Sequence, residues 1–305
     1  MRHFLHRTLL TLPALWLVLT LVFLLIHMVP GDPVQQMLGE GAAPGEVAQL
    51  RHSLGLDLPI AVQYGRYLRQ LARGDMGQSL KFQAPVRRVL FERYPATLEL
   101  AFLALLLSAA IGIPAGVFAA HRRGRAADRA VSFFTLFGLA LPNFALGPLL
   151  ILVFSIALGA LPVSGRDGPL SFVLPAVTLG AALAAILTRM VRGAMLEELS
   201  SDYVRTARAK GLTARAVLVH HALRNALIPI ITILGLQFGT LLAGAIVTES
   251  IFAWPGVGRL TVQAISARDY PLLQGCILVI CISYVLVNLL TDFLYAVIDP
   301  RVRLQ

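Results

Sequence analysis

Charge is scarce in this chain. Asp, Glu, Lys and Arg make up only 14% of its 305 residues, against 57% hydrophobic. A soluble domain carries about a quarter charged residues, so a soluble globular fold is excluded and the composition is that of a membrane protein. Lysine is scarcest: Lys81 and Lys210 stand beside 24 Arg. Neither follows a glycine and precedes Ser or Thr, so the phosphate-binding G-x-x-x-x-G-K-[ST] loop is missing and ATP hydrolysis by that route is excluded. Cysteine is limited to Cys276 and Cys281, five apart in one apolar segment. That spacing puts them on different helix faces, so no disulfide is expected and no redox compartment follows. H-E-x-x-H and C-x-x-C are both absent. The adjacent His220 and His221 diverge on a helix and read as a solvated loop before a metal site. No cluster of His, Asp, Glu or Cys lies within the apolar segments, so a membrane-embedded enzyme is disfavoured and no metal or cofactor is expected. Linkers, low-complexity tracts and clear internal repeats are lacking too.

Long apolar runs are what the chain has instead. Six windows meet or nearly meet the ~20 residues that a helix needs to cross a bilayer. They are Thr8–Gly31, Leu100–Arg122, Ala130–Gly165, Gly168–Thr188, Asn225–Thr248 and Tyr270–Thr291. The first reads as a retained helix, not a cleaved signal, because its apolar core is long and no small-x-small site closes it before Pro30. The third holds Pro142, Pro148 and Pro162 and predicts one kinked helix over 131–158 followed by an exit turn. With the N-terminus inside, 15 Lys and Arg fall on the cytoplasmic side and three in the two short outer loops, as the positive-inside rule requires. The other eight lie in the long first outer loop, where they weigh little, although Arg87, Arg88 and Arg93 sit close to the second span. The expected fold is therefore all-α and polytopic, with six transmembrane helices and both termini cytoplasmic. Residues 1–30 form the N-terminus and first span, 31–95 a small helical outer region, and 96–305 a five-helix core with a cytoplasmic loop over 191–226.

Polar residues inside such spans are costly and therefore informative. Glu99 and Asp292 lie near interfaces and suit snorkelling or local pairing, and His27 sits at the outer end of the first span. Asn143 and Gln237 either line a polar path or hydrogen-bond between helices. Gly112–Gly116 and Gly235–Gly239 are both G-x-x-x-G, a spacing that lets helix backbones approach closely, within the chain or to a second subunit.

The stretch DYVRTARAKGL (202–212) breaks the apolar pattern. Asp202 to Lys210 reads as a short helix with Arg205 and Arg208 on one side and Val204 and Ala207 on another. Gly211 ends it, since glycine alone takes a left-handed conformation freely. Thr213 can cap a second helix in which Ala214, Val217, Leu218 and His221 share a face. Spacing alone allows a basic loop that fixes topology, a docking element for a soluble partner, or a membrane-surface helix.

RTARAKG (205–211) with ALRNALIP (222–229) resembles the coupling loop, or EAA loop, of permeases in binding-protein-dependent ABC importers. The general pattern is E-A-A-x-x-x-G, nine residues, then I-x-L-P. Here Arg205, Thr206 and Ala207 stand at E-A-A, Gly211 at the glycine and Leu223 at the leucine. Arg205 replaces the Glu, His221 the Ile and Arg224 the Pro, departures that resemble the dipeptide, oligopeptide and nickel permease subfamily. MVPGDPV (28–34), LGLDLPI (54–60), RGDMGQSL (73–80), LPNFALG (141–147), ESIFAWPGVGRL (249–260) and RDYPLLQG (268–275) resemble that subfamily as well. The PGDP and RGDMG pieces are similar to the first of its two permease subunits. The resemblance implies a type I permease bundle in the bacterial inner membrane. It also implies a second, different permease subunit, two cytoplasmic ATP-binding subunits and a periplasmic or lipid-anchored substrate-binding protein, with no nucleic acid partner. It assigns ATPase coupling to Asp202, Tyr203, Arg205, Ala207, Ala209, Lys210, Gly211, Leu212 and Leu223, with Tyr203, Ala207 and Ala209 facing the ATPase cleft. With the resemblance, Glu249, Pro255, Gly256 and Gly258 join Asn143 and Gln237 as candidates for a translocation path or gate. Glu249 and Arg259 are expected either to pair as a salt bridge or to guide peptide charges. A stand-alone secondary transporter or channel is the rival reading. It would need deeper and more numerous intramembrane charges than Glu99 and Asp292.

Overall fold

The computed structural model describes residues 12–24, 34, 38 and 43–298. Arg2, Arg7, His27, most of MVPGDPV, Arg301, Arg303 and the side chain of Asp292 lie outside the described residues, and so do both termini.

Helix α1 covers Leu12–Leu24. The outer region supplies α2 (Pro44–Leu54), α3 (Ile60–Ala72) and a small antiparallel hairpin, β1 (Gln78–Ser79) with β2 (Ala84–Pro85). Thr20 of α1 shares a 2.8 Å hydrogen bond with Tyr64 of α3, and Phe23 packs edge-on against the same ring.

Helix α4 runs unbroken from Val86 to His121. It starts well before the expected window because Val86, Val89 and Leu90 bury their side chains against Val257, Leu260 and Leu272. Its 36 residues give roughly 54 Å of helix, more than a bilayer core of about 30 Å, so its ends project beyond the hydrocarbon. Pro95 and Pro114 sit inside it, each removing one backbone donor without breaking the helix.

The third span departs from expectation. It is two helices, α5 (Ala126–Ala140) and α6 (Asn143–Leu150), the latter continuing in wider π-type turns through Ile151–Ala157. They meet at 99°. Leu141 takes an extended conformation before Pro142, because the proline ring clashes with a helical residue ahead of it. The expected kink is therefore a corner, and neither half is long enough to cross alone.

A short turn, Pro169–Phe172, leads into α7 (Val173–Leu199), followed by α8 (Asp202–Ala209). Helix α9 is continuous through Ala214–Ala216, π-type turns at Val217–Leu223, and Arg224–Gly244. Helices α10 (Ile246–Ile251), α11 (Val257–Ser266) and α12 (Tyr270–Ile298) complete the bundle. Among the described residues four helical segments are long and apolar enough to span a membrane: Val86–His121, Pro169–Leu199, Ala214–Leu242 and Tyr270–Thr291. The bent pair and α1 supply the remaining apolar helices.

Both G-x-x-x-G pairs work within the chain. A side chain at Gly116 would meet Val191 Cβ at 2.6 Å and the Thr188 carbonyl at 2.7 Å, and one at Gly112 would meet the Ala184 carbonyl at 3.1 Å. Helices α4 and α7 thus lie backbone against backbone. Gly235 and Gly239 likewise seat α9 against Thr291 and Tyr284 of α12. Close approach of this kind replaces the hydrophobic drive that is absent between helices in lipid. Gly116→Ala should therefore lower the thermal stability of the purified chain, costing about 1–3 kcal/mol by overpacking. Gly193→Ala should not, because open space surrounds Gly193. Equal unfolding temperatures for the two variants would refute the glycine seam.

Candidate functional site: coupling segment and buried carboxylate loop

Helix α8 is short, and its two ends are closed differently. Ser201 precedes it in an extended conformation. At the other end Gly211 has φ +80°, its N–H donates to the Arg208 carbonyl at 3.0 Å, and the Leu212 N–H donates to the Ala207 carbonyl at 3.3 Å. This pair of bonds is a Schellman closure, and it needs a left-handed residue at Gly211. Thr213 then caps α9, its hydroxyl accepting from the Ala216 N–H at 3.3 Å. Val204 and Ala207 are buried against Val217, and Leu223 packs on the core built from Ala120, Leu187, Val191 and Met195. The segment is therefore a hook capped at its turn and packed on the bundle.

The facing differs from expectation. Ala207 is only 7% exposed, and Tyr203 is half-buried with its hydroxyl donating to Glu198 at 2.6 Å. Burial pushes the Tyr203 hydroxyl above its ordinary pKa, and the bond to Glu198 adds to the shift. Both side chains turn toward their own bundle, because the apolar stripe of α8 has Val217 to cover it. The outward face carries Arg205, Arg208, Ala209, Lys210 and Leu212. Asp202 pairs with Arg205 at 3.2 Å on that surface.

A second constellation lies in 249–259. Glu249 is wholly buried. One carboxylate oxygen accepts from the Thr97 hydroxyl at 2.7 Å and the other from the Arg259 backbone N–H at 3.0 Å. Thr97 Oγ1 in turn accepts from the Val257 N–H at 2.8 Å. Glu249 and Thr97 thus cap the N-terminus of α11 from outside, where free N–H groups and the helix dipole favour negative charge. The expected Glu249–Arg259 salt bridge is not formed. The Arg259 guanidinium donates instead to the Ala253 carbonyl at 2.6 Å. Gly256 and Gly258 lie against the Glu249 carboxylate, and a side chain at Gly258 would also meet Ile246 Cα at 2.7 Å. Trp254 is buried, donates from Nε1 to the Ala96 carbonyl at 2.8 Å and stacks edge-on with Phe172. Two further contacts tie the neighbouring loop. The Gly165 N–H donates to the Phe252 carbonyl at 3.0 Å, and Arg166 Nη2 donates to both oxygens of Glu99 at 2.7 and 2.5 Å. Local pairing, one of the two expectations for Glu99, is what occurs.

Asn143 and Gln237 sit on separate elements. Asn143 is half-buried at the start of α6. Gln237 is 5% exposed and donates from Nε2 to the Leu183 carbonyl at 3.1 Å, a helix-to-helix bond, while its Oε1 is buried without a partner among the described residues. Pro255 is half-buried in the turn before α11. Three anchors were not singled out in the sequence. Thr97 gives no local signal. Asp128, the one acid among the four arginines of HRRGRAADR, grips Arg192 through two bonds of 2.7 and 2.9 Å. Asp269 accepts from Ser79 at 2.6 Å and from the Lys81 N–H at 3.1 Å, fastening the outer hairpin to α12.

Comparison with known proteins places this geometry. Residues 112–304 match the family described as binding-protein-dependent transport system inner membrane component, and residues 1–101 match its N-terminal family. The dipeptide transport system permease protein DppB of Escherichia coli K12 is 43% identical, with 98% of each chain covered. The glutathione transport system permease protein GsiC of the same strain is 44% identical over 96% of this chain and 95% of that one. Among solved structures, the MetNI methionine ABC transporter in an inward-facing conformation superposes with a TM-score of 0.60 at 20% identity, over 69% of this chain and 96% of that chain. The chain belongs to the inner-membrane permease family of binding-protein-dependent ABC import systems.

Proposed function

We propose that this permease passes short peptides, of the dipeptide or glutathione-like tripeptide class, across the inner membrane by alternating access. A second, different permease completes the pore, two ATP-binding subunits drive it, and an outer binding protein delivers the substrate. Residues 1–30, 31–95 and 96–305 serve as first span, outer region and pore-forming core. The substrate class rests on two relatives above 40% identity over nearly the whole length. The coupling assignment rests on α8, a short helix closed at Gly211, presenting a basic face and packed to the bundle through Val204, Ala207 and Leu223. ATP-driven closure of the ATPases would push this hook as one body. Asp202, Arg205, Ala209, Lys210 and Leu212 form its contact surface. Tyr203 and Ala207 hold it to the bundle. The 249–259 loop acts as a wedge at the outer mouth. With Glu249, Gly256 and Gly258 locked together it moves as a unit, and Asn143 and Gln237 flank the path behind it.

Two experiments test this reading. Ala209→Trp places bulk on the exposed face of α8 and should cut co-purification of the ATP-binding subunits and peptide uptake at least about tenfold, with unfolding of the chain unchanged. Wild-type uptake by this variant would remove coupling from α8, and uptake without ATP would restore the secondary-transporter reading. At the outer mouth, Glu249→Ala strands the Arg259 N–H and the Thr97 hydroxyl and should cost about 2–5 kcal/mol, read as a lowered unfolding temperature together with lost uptake. Arg259→Ala should cost only about 1 kcal/mol, the worth of one hydrogen bond. Equal losses for these two variants would mean that a charge pair holds the loop after all.

A further inference from the structure

A cavity of about 470 Å³ opens at the end of the bundle that carries the coupling segment. That volume lies within the range of about 300–1,000 Å³ typical of small-ligand pockets. Its walls come from the ends of α4 and α7, the last turn of α8 and the start of α9. Three basic side chains line it, His121, Arg123 and Arg208, together with Leu196, Leu199 and Leu218. No carboxylate does. Among the described residues neither Arg123 nor Arg208 has an ion-pair partner. The nearby acids have their closest partners elsewhere: Asp128 binds Arg192, although the charge of Arg123 also reaches it, Glu198 binds Tyr203, and Asp202 binds Arg205. Glu197 is exposed and outside the lining.

Two unpaired guanidinium groups over a leucine floor ask for an anion with an apolar body. A free inorganic anion would satisfy the arginines and leave the leucines wet. An acidic segment of a partner protein would satisfy both. The position favours lipid, because Ala120, His121 and Arg123 of the lining lie at the end of the apolar stretch of α4, where a bilayer's headgroups begin, and by the positive-inside rule this is the cytoplasmic side. Basic pockets between transmembrane helices on that side take anionic headgroups. We infer that the cavity binds the phosphate headgroup of an anionic phospholipid, which joins Arg208 of the coupling helix to Arg123 after α4. Bound lipid then stiffens the hook against the bundle. This inference stands apart from the ATPase reading, because lipid binding is measured on the chain alone.

The test is native mass spectrometry of the full chain in detergent, titrated separately with phosphatidylglycerol, phosphatidylcholine and inorganic phosphate. Phosphatidylglycerol should bind in preference to phosphatidylcholine. Arg123→Gln with Arg208→Gln should weaken it about 25-fold, at about fivefold per charge removed near the surface, while Arg123→Lys with Arg208→Lys retains most of the affinity. Ala214→Phe leaves every cation in place and fills the cavity mouth, so it should weaken binding as well. Thermal unfolding of each variant checks that the fold is kept. Equal binding of the two lipids, or unchanged binding by Ala214→Phe, would overturn the proposal, the latter because the lipid would then lie on the open surface. Inorganic phosphate that binds as tightly as the lipid would identify a soluble anion instead. Phosphatidylglycerol expelled when ATP-binding subunits assemble on the chain would assign the cavity to an acidic protein segment and overturn the lipid reading.

Discussion

A carboxylate taken out of water without partners costs several kcal/mol, yet Glu249 is wholly buried. The structure meets that cost with donors brought from two places, the Thr97 hydroxyl on α4 and the first N–H groups of α11. Because Glu249 belongs to α10, one side chain fixes the relative position of α4, α10 and α11. The turn between α10 and α11 can be as tight as it is only because Gly256 and Gly258 leave room for that carboxylate. Trp254 and Phe252 then seal the loop, and the Gly165 N–H on the Phe252 carbonyl carries the order into the segment before α7. Much of the packing at this end follows from where that one carboxylate must sit.

The same helix that carries Thr97 ends beside α8. From Thr97 to Ala120 is roughly 35 Å at the helical rise, and along this length α4 is seated on α7 through Gly112, Gly116 and Gly180. A seam with no side chain between the backbones slides with difficulty, because any shift drives a peptide group into a neighbour. The α4–α7 pair is therefore a strut with a gate-like loop at one end and the hook of α8 and α9 at the other. Ordered parts at both ends are thus joined by one close-packed helix pair.

Local features of the site were legible in the sequence because they depend on neighbours in the chain. The Gly211 closure, the Thr213 cap and the shared face of Val204 and Ala207 are set by residues within four or five positions of one another. The direction in which that face turns was not legible, since it depends on Val217 lying behind it after the chain has doubled back. Motif resemblance assigned Ala207 to a coupling role but carried no information on its orientation. For Glu249 and Arg259 the sequence leaves a salt bridge and the guiding of peptide charges as alternatives, and the salt bridge is absent. A helix N-terminus offers a carboxylate better-placed donors, and the guanidinium found the Ala253 carbonyl instead. Pro142 announced a break, but the angle depends on packing of both halves. The ties from Ser79 to Asp269 and from Asp128 to Arg192 join residues 190 and 64 positions apart, a separation that no local pattern encodes.

If the strut is rigid and the hook is rigid, motion must enter where the backbone between them is least committed. The π-type turns at Val217–Leu223 are that place. Such turns close their hydrogen bonds from i to i+5, one residue wider than an α-helix, and they recur at functional positions. Returning them to α-helix would rotate everything before Val217 relative to everything after Leu223 and would shift Leu218, Ala222 and Leu223, which pack on the main core. Val217 and Ala222, at the two ends of the segment, are both buried, on the hook and on the main core respectively. The contact of Val204 and Ala207 with Val217 therefore joins α8 directly to the wider turns, and through them to the long part of α9.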